Sequence, residues 1–214
     1  MDELRVYLPI RDLQAQFAAY LSTPARARGY PPMEGESSLF IEVAPALSIH
    51  RVCDLALKRA PDLEPGILFT ERQFGLLELH SGDPEELDRA GKAILEGIGA
   101  KPEDQLAPRV LFHDVIEEIT DQHAVILNRT RSASMLLPGS SLLLCEMAPA
   151  LFACVAANEA EKVVPGLTLN DVQMMGVTGR VFFSGDAKDL AKAQEVMEVT
   201  LGAVAGRKGE MGWM

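Results

Sequence analysis

Acid–base chemistry is the first possibility that the residue types raise. His113 and Asp114 are adjacent, and an imidazole beside a carboxylate is the start of a general base, yet no motif places a nucleophile with them. The serines form no GxSxG, and the glycines form neither a Walker loop nor a GxGxxG. His50, His80 and His123 are scattered without metal-ligand spacing. Cys53, Cys145 and Cys154 sit in apolar surroundings with no CxxC pair, so they read as buried reduced thiols, not as disulfides or zinc ligands. These residues predict no catalytic site, no metal and no cofactor. Glu71-Arg72 offers a different chemistry, two opposite charges side by side in a turn that closes on Gly75. Alone, such an exposed pair is worth under about 1 kcal/mol.

The elements around these residues come from a soluble-type composition, 48% hydrophobic and 24% charged, with no low-complexity stretch, so the whole chain is expected to fold. A net charge of −11 repels phosphate backbones, and no Lys/Arg cluster with interleaved aromatics offsets it, which argues against nucleic acid as a partner. The most apolar run, Ser140 to Ala157, carries Glu146 and Pro149 and reads as strand, turn and helix rather than a membrane span. The opening Met-Asp-Glu-Leu-Arg lacks the apolar core of a signal peptide and predicts a cytoplasmic protein.

An internal duplication organises the chain. Glu42-Val43-Ala44-Pro45-Ala46-Leu47 recurs as Glu146-Met147-Ala148-Pro149-Ala150-Leu151, 104 positions later. The same offset maps Arg5-Val6 onto Arg109-Val110, Gly35 onto Gly139, Pro61 onto Pro165, Leu63 onto Leu167 and Gly75 onto Gly179. Past Gly75 the offset becomes 103, aligning Ser81-Gly82-Asp83 with Ser184-Gly185-Asp186. Two domains follow, 1–103 and 104–214, joined by the polar Lys101-Pro102-Glu103-Asp104.

Within each half, Leu4 to Leu8, Leu39 to Val43, Ile67 to Thr70 and Leu76 to His80 are strand candidates. One helix of about 15 residues is expected to start at Pro45 and stop at Pro61. A second opens on Asp83-Pro84-Glu85-Glu86, with Asp as N-cap and Pro at the first helical position, and runs to Gly97 and Gly99. The second half repeats both, from Pro149 to Val164 and from Ala187 to about Val204. Strands and helices mix in a non-βαβα order, which predicts an α+β class, each domain an antiparallel-dominated sheet with helices packed on it.

The segment from Glu42 to Asp83 resembles the bacterial microcompartment (BMC) shell domain: an Ala-rich helix with Asp54 and Lys58 four apart, a short strand, Glu71-Arg72-Gln73-Phe74-Gly75, then a strand ending in Gly82-Asp83. The second half carries the pattern with Lys162 at the lysine position, Asn158 for the Asp, and Met175-Gly176-Val177-Thr178-Gly179 in place of the turn. A strand segment precedes the helix-bearing unit in each half, as in the circularly permuted form of the domain. Leu4 to Leu13, Thr120 to Arg129 and Phe152 to Lys162 are similar to the CcmP-type tandem proteins of carboxysomes.

The resemblance implies a homotrimer, a pseudohexameric tile with six lobes, set among other carboxysome shell proteins and stacked as a dimer of trimers over an enclosed chamber. It implies that residues 71–75 and 175–179 face a central pore, that Glu71-Arg72 form its gate, and that Lys58 and Lys162 lie at the tile edge. Six charges from three chains then meet in one constriction; pairing between neighbours closes it, and because desolvation roughly offsets the Coulomb attraction, open and closed forms differ by only a few kcal/mol. Gly75 is expected to give the turn its freedom. In a carboxysome, anionic sugar phosphates would pass, ribulose bisphosphate inward and phosphoglycerate outward. Arg26 and Arg28 form a small basic patch, either a solvated loop or an anion site facing the chamber, and the tail from Arg207 to Met214 is expected to fray. The alternative to a shell tile is a soluble regulatory module whose duplicated domains bind a metabolite without tiling.

Overall fold

The computed structural model describes residues 2–23 and 29–209. Its first half contains β1 (Glu3–Ile10), α1 (Ala15–Leu21), β2 (Ser37–Ala44), α2 (Ser48–Arg59), β3 (Glu64–Thr70), β4 (Gly75–Ser81) and α3 (Pro84–Ile98). After a short 3-10 turn, Pro102–Asp104, the second half repeats them as β5 (Arg109–Ile116), α4 (Asp121–Asn128), β6 (Ser141–Ala148), α5 (Phe152–Val163), β7 (Thr168–Gln173), β8 (Gly179–Gly185) and α6 (Ala187–Gly202). Each half forms a fully antiparallel four-stranded sheet, ordered β1-β2-β4-β3 and β5-β6-β8-β7. The α+β class and the duplication are as the sequence predicts.

The central strands β2 and β4 are buried along nearly their whole length, which is why they read as continuous apolar runs instead of alternating ones. Leu39, Ile41, Val43, Leu77 and Leu79 pack with Ile49, Val52 and Ala56 of α2 and Leu87, Ala90 and Ile94 of α3. Phe40, Leu76 and Ile67 belong to a second core that also takes in Val6, Leu8 and Ile10 of β1, Phe17, Ala18, Tyr20 and Leu21 of α1, and the α5–α6 core of the other half. One hydrophobic core therefore runs through both halves.

Helix α1, which the sequence reading did not anticipate, makes that join. Its N-cap residue Gln14 makes no side-chain cap of its own; Asn158 Oδ1 accepts the Gln14 N–H at 2.9 Å, and the Glu161 carboxylate accepts those of Gln16 and Phe17 at 2.8 and 3.0 Å. A carboxylate on the first free N–H groups of a helix meets the positive end of its dipole. Gln16 adds an edge-strand contact, donating to the Leu167 carbonyl and accepting from Leu169 N–H, both at 2.9 Å. The Tyr20 hydroxyl donates to the Val172 carbonyl.

Three details correct the sequence reading. The proline of each Ala-Pro pair follows a cis peptide, and the helices begin three residues later, at Ser48 and Phe152, so Pro45 and Pro149 shape the strand exit and not the first helical turn. In β1 and β5 the register partners set the offset at 106, because Glu3 and Arg109 both face the Ala that ends the central strand, Ala44 and Ala148. Arg5 thus corresponds to Leu111, each in the bulge of its strand. The 104 offset persists through β4 and β8, where Ser38 faces His80 and Leu142 faces Ser184, so the missing residue falls in the turn before the helix cap.

The joint between halves is ordered. Gln105 is buried and accepts the Tyr7 N–H at 2.9 Å, and Leu106 bridges in parallel to Arg207. The tail is therefore tied down as far as that bridge. Arg26, Arg28 and residues 210–214 lie outside the described residues.

Candidate functional site

Residues 71–74 close the β3–β4 hairpin, with Glu71 N–H donating to the Phe74 carbonyl at 2.9 Å. Arg72 and Gln73 are exposed, Glu71 half-buried, and the Glu71 carboxylate accepts the Arg72 backbone N–H at 2.9 Å. Phe74 turns inward, 6% exposed. Gly75 is not the flexible joint that was expected: it is the first residue of β4, and a Cβ there would collide with the Ala46 carbonyl and the Ile49 side chain. Its role is close packing of β4 on the start of α2. Gly179 is pressed likewise on Ala150. Backbone freedom lies in the second turn, at Gly176, whose φ is +111° in open space.

In that second turn Met175, Gly176 and Thr178 are half-buried and Val177 is 54% exposed. Both turns open onto one cleft of about 840 Å³ between the halves, to which Gln73, Phe74 and Val177 contribute. Among the described residues, the cleft wall carries Arg5, Arg109, Arg207 and Lys208 and one acid, Glu3. In a chain of net charge −11, that is a local reversal of sign.

Behind each turn stands a charged residue that the sequence reading passed over. Arg5 Nε lies 2.7 Å from Glu42 Oε1, and its guanidinium covers the Phe74 ring at 4.5 Å. Burial of Glu42, 1% exposed, pushes its carboxyl up to about 7 although Arg5 pulls it down. On the other side Glu146 accepts from Thr178 Oγ1 at 2.7 Å and Arg180 Nε at 3.1 Å. The available signal was a glutamate inside an apolar strand, repeated 104 positions later.

The two lysines differ. Lys58 Nζ pairs with Asp54 at 2.6 Å one turn away on α2 and is 75% exposed. Lys162 Nζ instead reaches Asp12 of the other half at 3.2 Å, which places it at the seam between domains. His113 pairs with Glu198 at 2.9 Å, far in sequence from any turn residue. His80 is buried against Glu78, 3.2 Å away, and among the described residues no three His, Cys, Asp or Glu side chains are grouped to hold a metal. Cys53 and Cys145 are free thiols, and burial pushes Cys145 up to about 12. No helix among the described residues is long and apolar enough to cross a membrane.

Comparison with known proteins places this architecture. Residues 4–104 match the CsoS1D N-terminal domain. The chain is 36% identical to the carboxysome shell protein CcmP of Synechococcus elongatus, over 96% of its own length and 95% of that protein's. It is 37% identical to the carboxysome shell protein CsoS1D of Hydrogenovibrio crunogenus, over 90% and 93% respectively. Among solved structures, the double-ringed trimeric shell protein of the RMM microcompartment superposes with a TM-score of 0.94 at 58% identity, covering 98% of this chain and all of that one. A fused permuted hexameric shell protein from the same type of compartment gives 0.90 at 39%, over 96% of this chain and all of that one. With a duplicated permuted sheet, paired turns on one cleft and relatives matched end to end, the chain belongs to the family of tandem BMC-domain microcompartment shell proteins that includes CcmP and CsoS1D.

Proposed function

We propose that three copies of this chain close into a pseudohexameric shell tile, a structural and not a catalytic element, whose central pore is bordered by the turns at 71–75 and 175–179. The carrying observation is that both turns open on the same cleft, so a threefold rotation gathers six of them. Within the chain, α1 with the outer face of the first sheet docks on α5. Repetition of that contact docks α4 on α2 of the next chain. The exposed Val125 and Ile126 of α4, and the half-open α2, fit such a contact.

Glu71 and Arg72 are the gate. Pairing across the threefold axis shuts the opening with charge-assisted hydrogen bonds, and separation returns both ions to water. The basic cleft wall suits anionic metabolites such as sugar phosphates, and two trimers stack face to face over a chamber, a reading that the double-ringed trimeric relative supports. Lys58 borders neighbouring tiles, and Lys162, paired with Asp12, meets the tile edge where the seam between the halves reaches it. The curated relatives favour a carboxysome shell, with ribulose bisphosphate and phosphoglycerate as cargo; the 58% identity to a shell protein of the RMM compartment favours a second reading in which the same tile serves another compartment in the cytoplasm.

Imaging of the purified protein tests the assembly: trimers in sheets or double layers support it, and discrete oligomers stabilised by a metabolite support a sensor instead. For the gate, Glu71→Ala with Arg72→Ala is expected to leave the trimer intact and its pore open, and a pore still shut by other residues overturns the assignment.

A further inference from the structure

A carboxylate in the middle of an apolar strand is costly unless it holds something. Glu42 is such a group, and what it holds is Arg5, which the β1 bulge directs toward it. The guanidinium is engaged on two sides, with its edge on the carboxylate and its plane over the Phe74 ring. Phe74 closes the first turn, since its carbonyl takes the Glu71 N–H. A fixed Phe74 therefore fixes the backbone that presents Glu71 and Arg72.

The second turn is built differently. Glu146 bonds Thr178 directly, and Arg180 Nη1 also donates to Gln173 Oε1 at 2.9 Å, bracing the turn from both ends. The arginine has changed strands: Leu111 stands where the first half has Arg5, and Leu76 where the second has Arg180.

We propose that Arg5 is the positioning residue of the first pore turn: clamped on Glu42, it holds Phe74 and through it Glu71 and Arg72, while the second turn is held by Glu146 directly and braced by Arg180. The meaning of this clamp for a gate rests on the trimer reading; the clamp itself does not. Arg5 of β1 is the charged group that bears on Glu42, the facing Leu76 of β4 brings none, and the cleft beyond carries Glu3, Arg109, Arg207 and Lys208. Because burial raises the Glu42 carboxyl to about 7, the clamp is a full ion pair above that pH and a neutral acid facing a guanidinium below it.

Amide hydrogen exchange on the full-length protein, followed by mass spectrometry in peptides spanning 70–75 and 174–179, reads both turns at once. Arg5→Met is expected to speed exchange in the first turn roughly tenfold and to leave the second within about twofold, with Arg180→Met giving the reverse. Arg5→Lys restores part of the protection, and Phe74→Leu reproduces the loss. Corrected for intrinsic rates, protection of the first turn rises in the unsubstituted protein from about pH 6 to about pH 8 and is flat in Glu42→Gln. The clamp is refuted if folded Arg5→Met leaves the first turn at its original rate, or if both turns loosen equally. Should Arg5→Met not fold, Phe74→Leu and Glu42→Gln decide by the same criteria. Imaged trimers whose pore lacks residues 71–74, with the exchange pattern as expected, would remove the gate reading and leave the clamp standing.

Discussion

Helices α1 and α4 occupy the same place in the two repeats but not the same surroundings. The equivalence is exact in hydrogen bonding: Leu13 exchanges backbone bonds with Glu36 and Gly35 just as Ile119 does with Ser140 and Gly139. Yet α1 buries Phe17, Ala18, Tyr20 and Leu21, whereas α4 buries Ala124 alone and leaves Ile126, the counterpart of Tyr20, 64% exposed. The partners mirror this. Helix α5, under α1, buries seven of its twelve residues; α2, with no element of the described residues on its outer side, buries three of twelve. The N-termini follow suit, since α1 is capped by Asn158 and Glu161 of the other half and α4 by its own Thr120, which accepts from His123 N–H at 3.4 Å. A chain that repeats a contact and fills it only once has kept the other half of the contact for a neighbour.

The largest test of that contrast is Phe17→Ala, expected to cost about 3–5 kcal/mol in denaturant unfolding because it empties a core that both halves share. His123→Ala at the equivalent position should stay within about 0.5 kcal/mol. Equal costs would mean that the two sites are alike after all.

The buried glutamates sharpen the comparison next. The folded-state carboxyl of Glu42 lies above its ordinary 4.5, at about 7, so its contribution to stability is complete below the unfolded value and is lost as pH rises through the folded one. About 3 kcal/mol should disappear between pH 4.5 and 8, in unfolding titrations. Glu42→Gln is expected to flatten that slope, and an unaltered slope would assign it to other groups, Glu161 among them, whose carboxyl burial also raises.

For Ile126→Asp the expected change is in assembly: chain stability within about 0.5 kcal/mol, but trimer affinity weakened at least roughly thirtyfold by sedimentation, from loss of an apolar anchor. An undisturbed trimer would place the subunit contact elsewhere. Smallest of all, Lys58→Ala should shift chain stability by under about 0.5 kcal/mol, as expected for an exposed ion pair, while extended sheets fail to form under the microscope. Sheets that persist would remove Lys58 from the tile edge.

Much of this molecule was legible in its residues. The six-residue repeat and the Asp83-Pro84 helix start pointed to two α+β units, and α3 starts at Pro84 with Asp83 Oδ1 accepting Glu85 N–H at 2.9 Å. Helix α1 escaped notice because seven residues, AQFAAYL, give too short a period to stand out, and its stability comes from the other domain's carboxylate and backbone. Arg5 was matched to Arg109 by identity, but the strand register pairs it with Leu111, since side-chain identity carries no information about a bulge.

The sequence by itself determined the duplication, the class of each unit and the positions of the two turns, because these follow from patterns within the chain: a repeated motif, apolar runs, capping and punctuation by Gly and Pro. Only the tertiary structure decided that the turns share one cleft, that Gly75 is a packing glycine, and that Arg5 and Arg180 brace their turns from different strands. Those relations join residues far apart in the chain, and their energies exist only once the sheets have brought the partners within hydrogen-bonding distance.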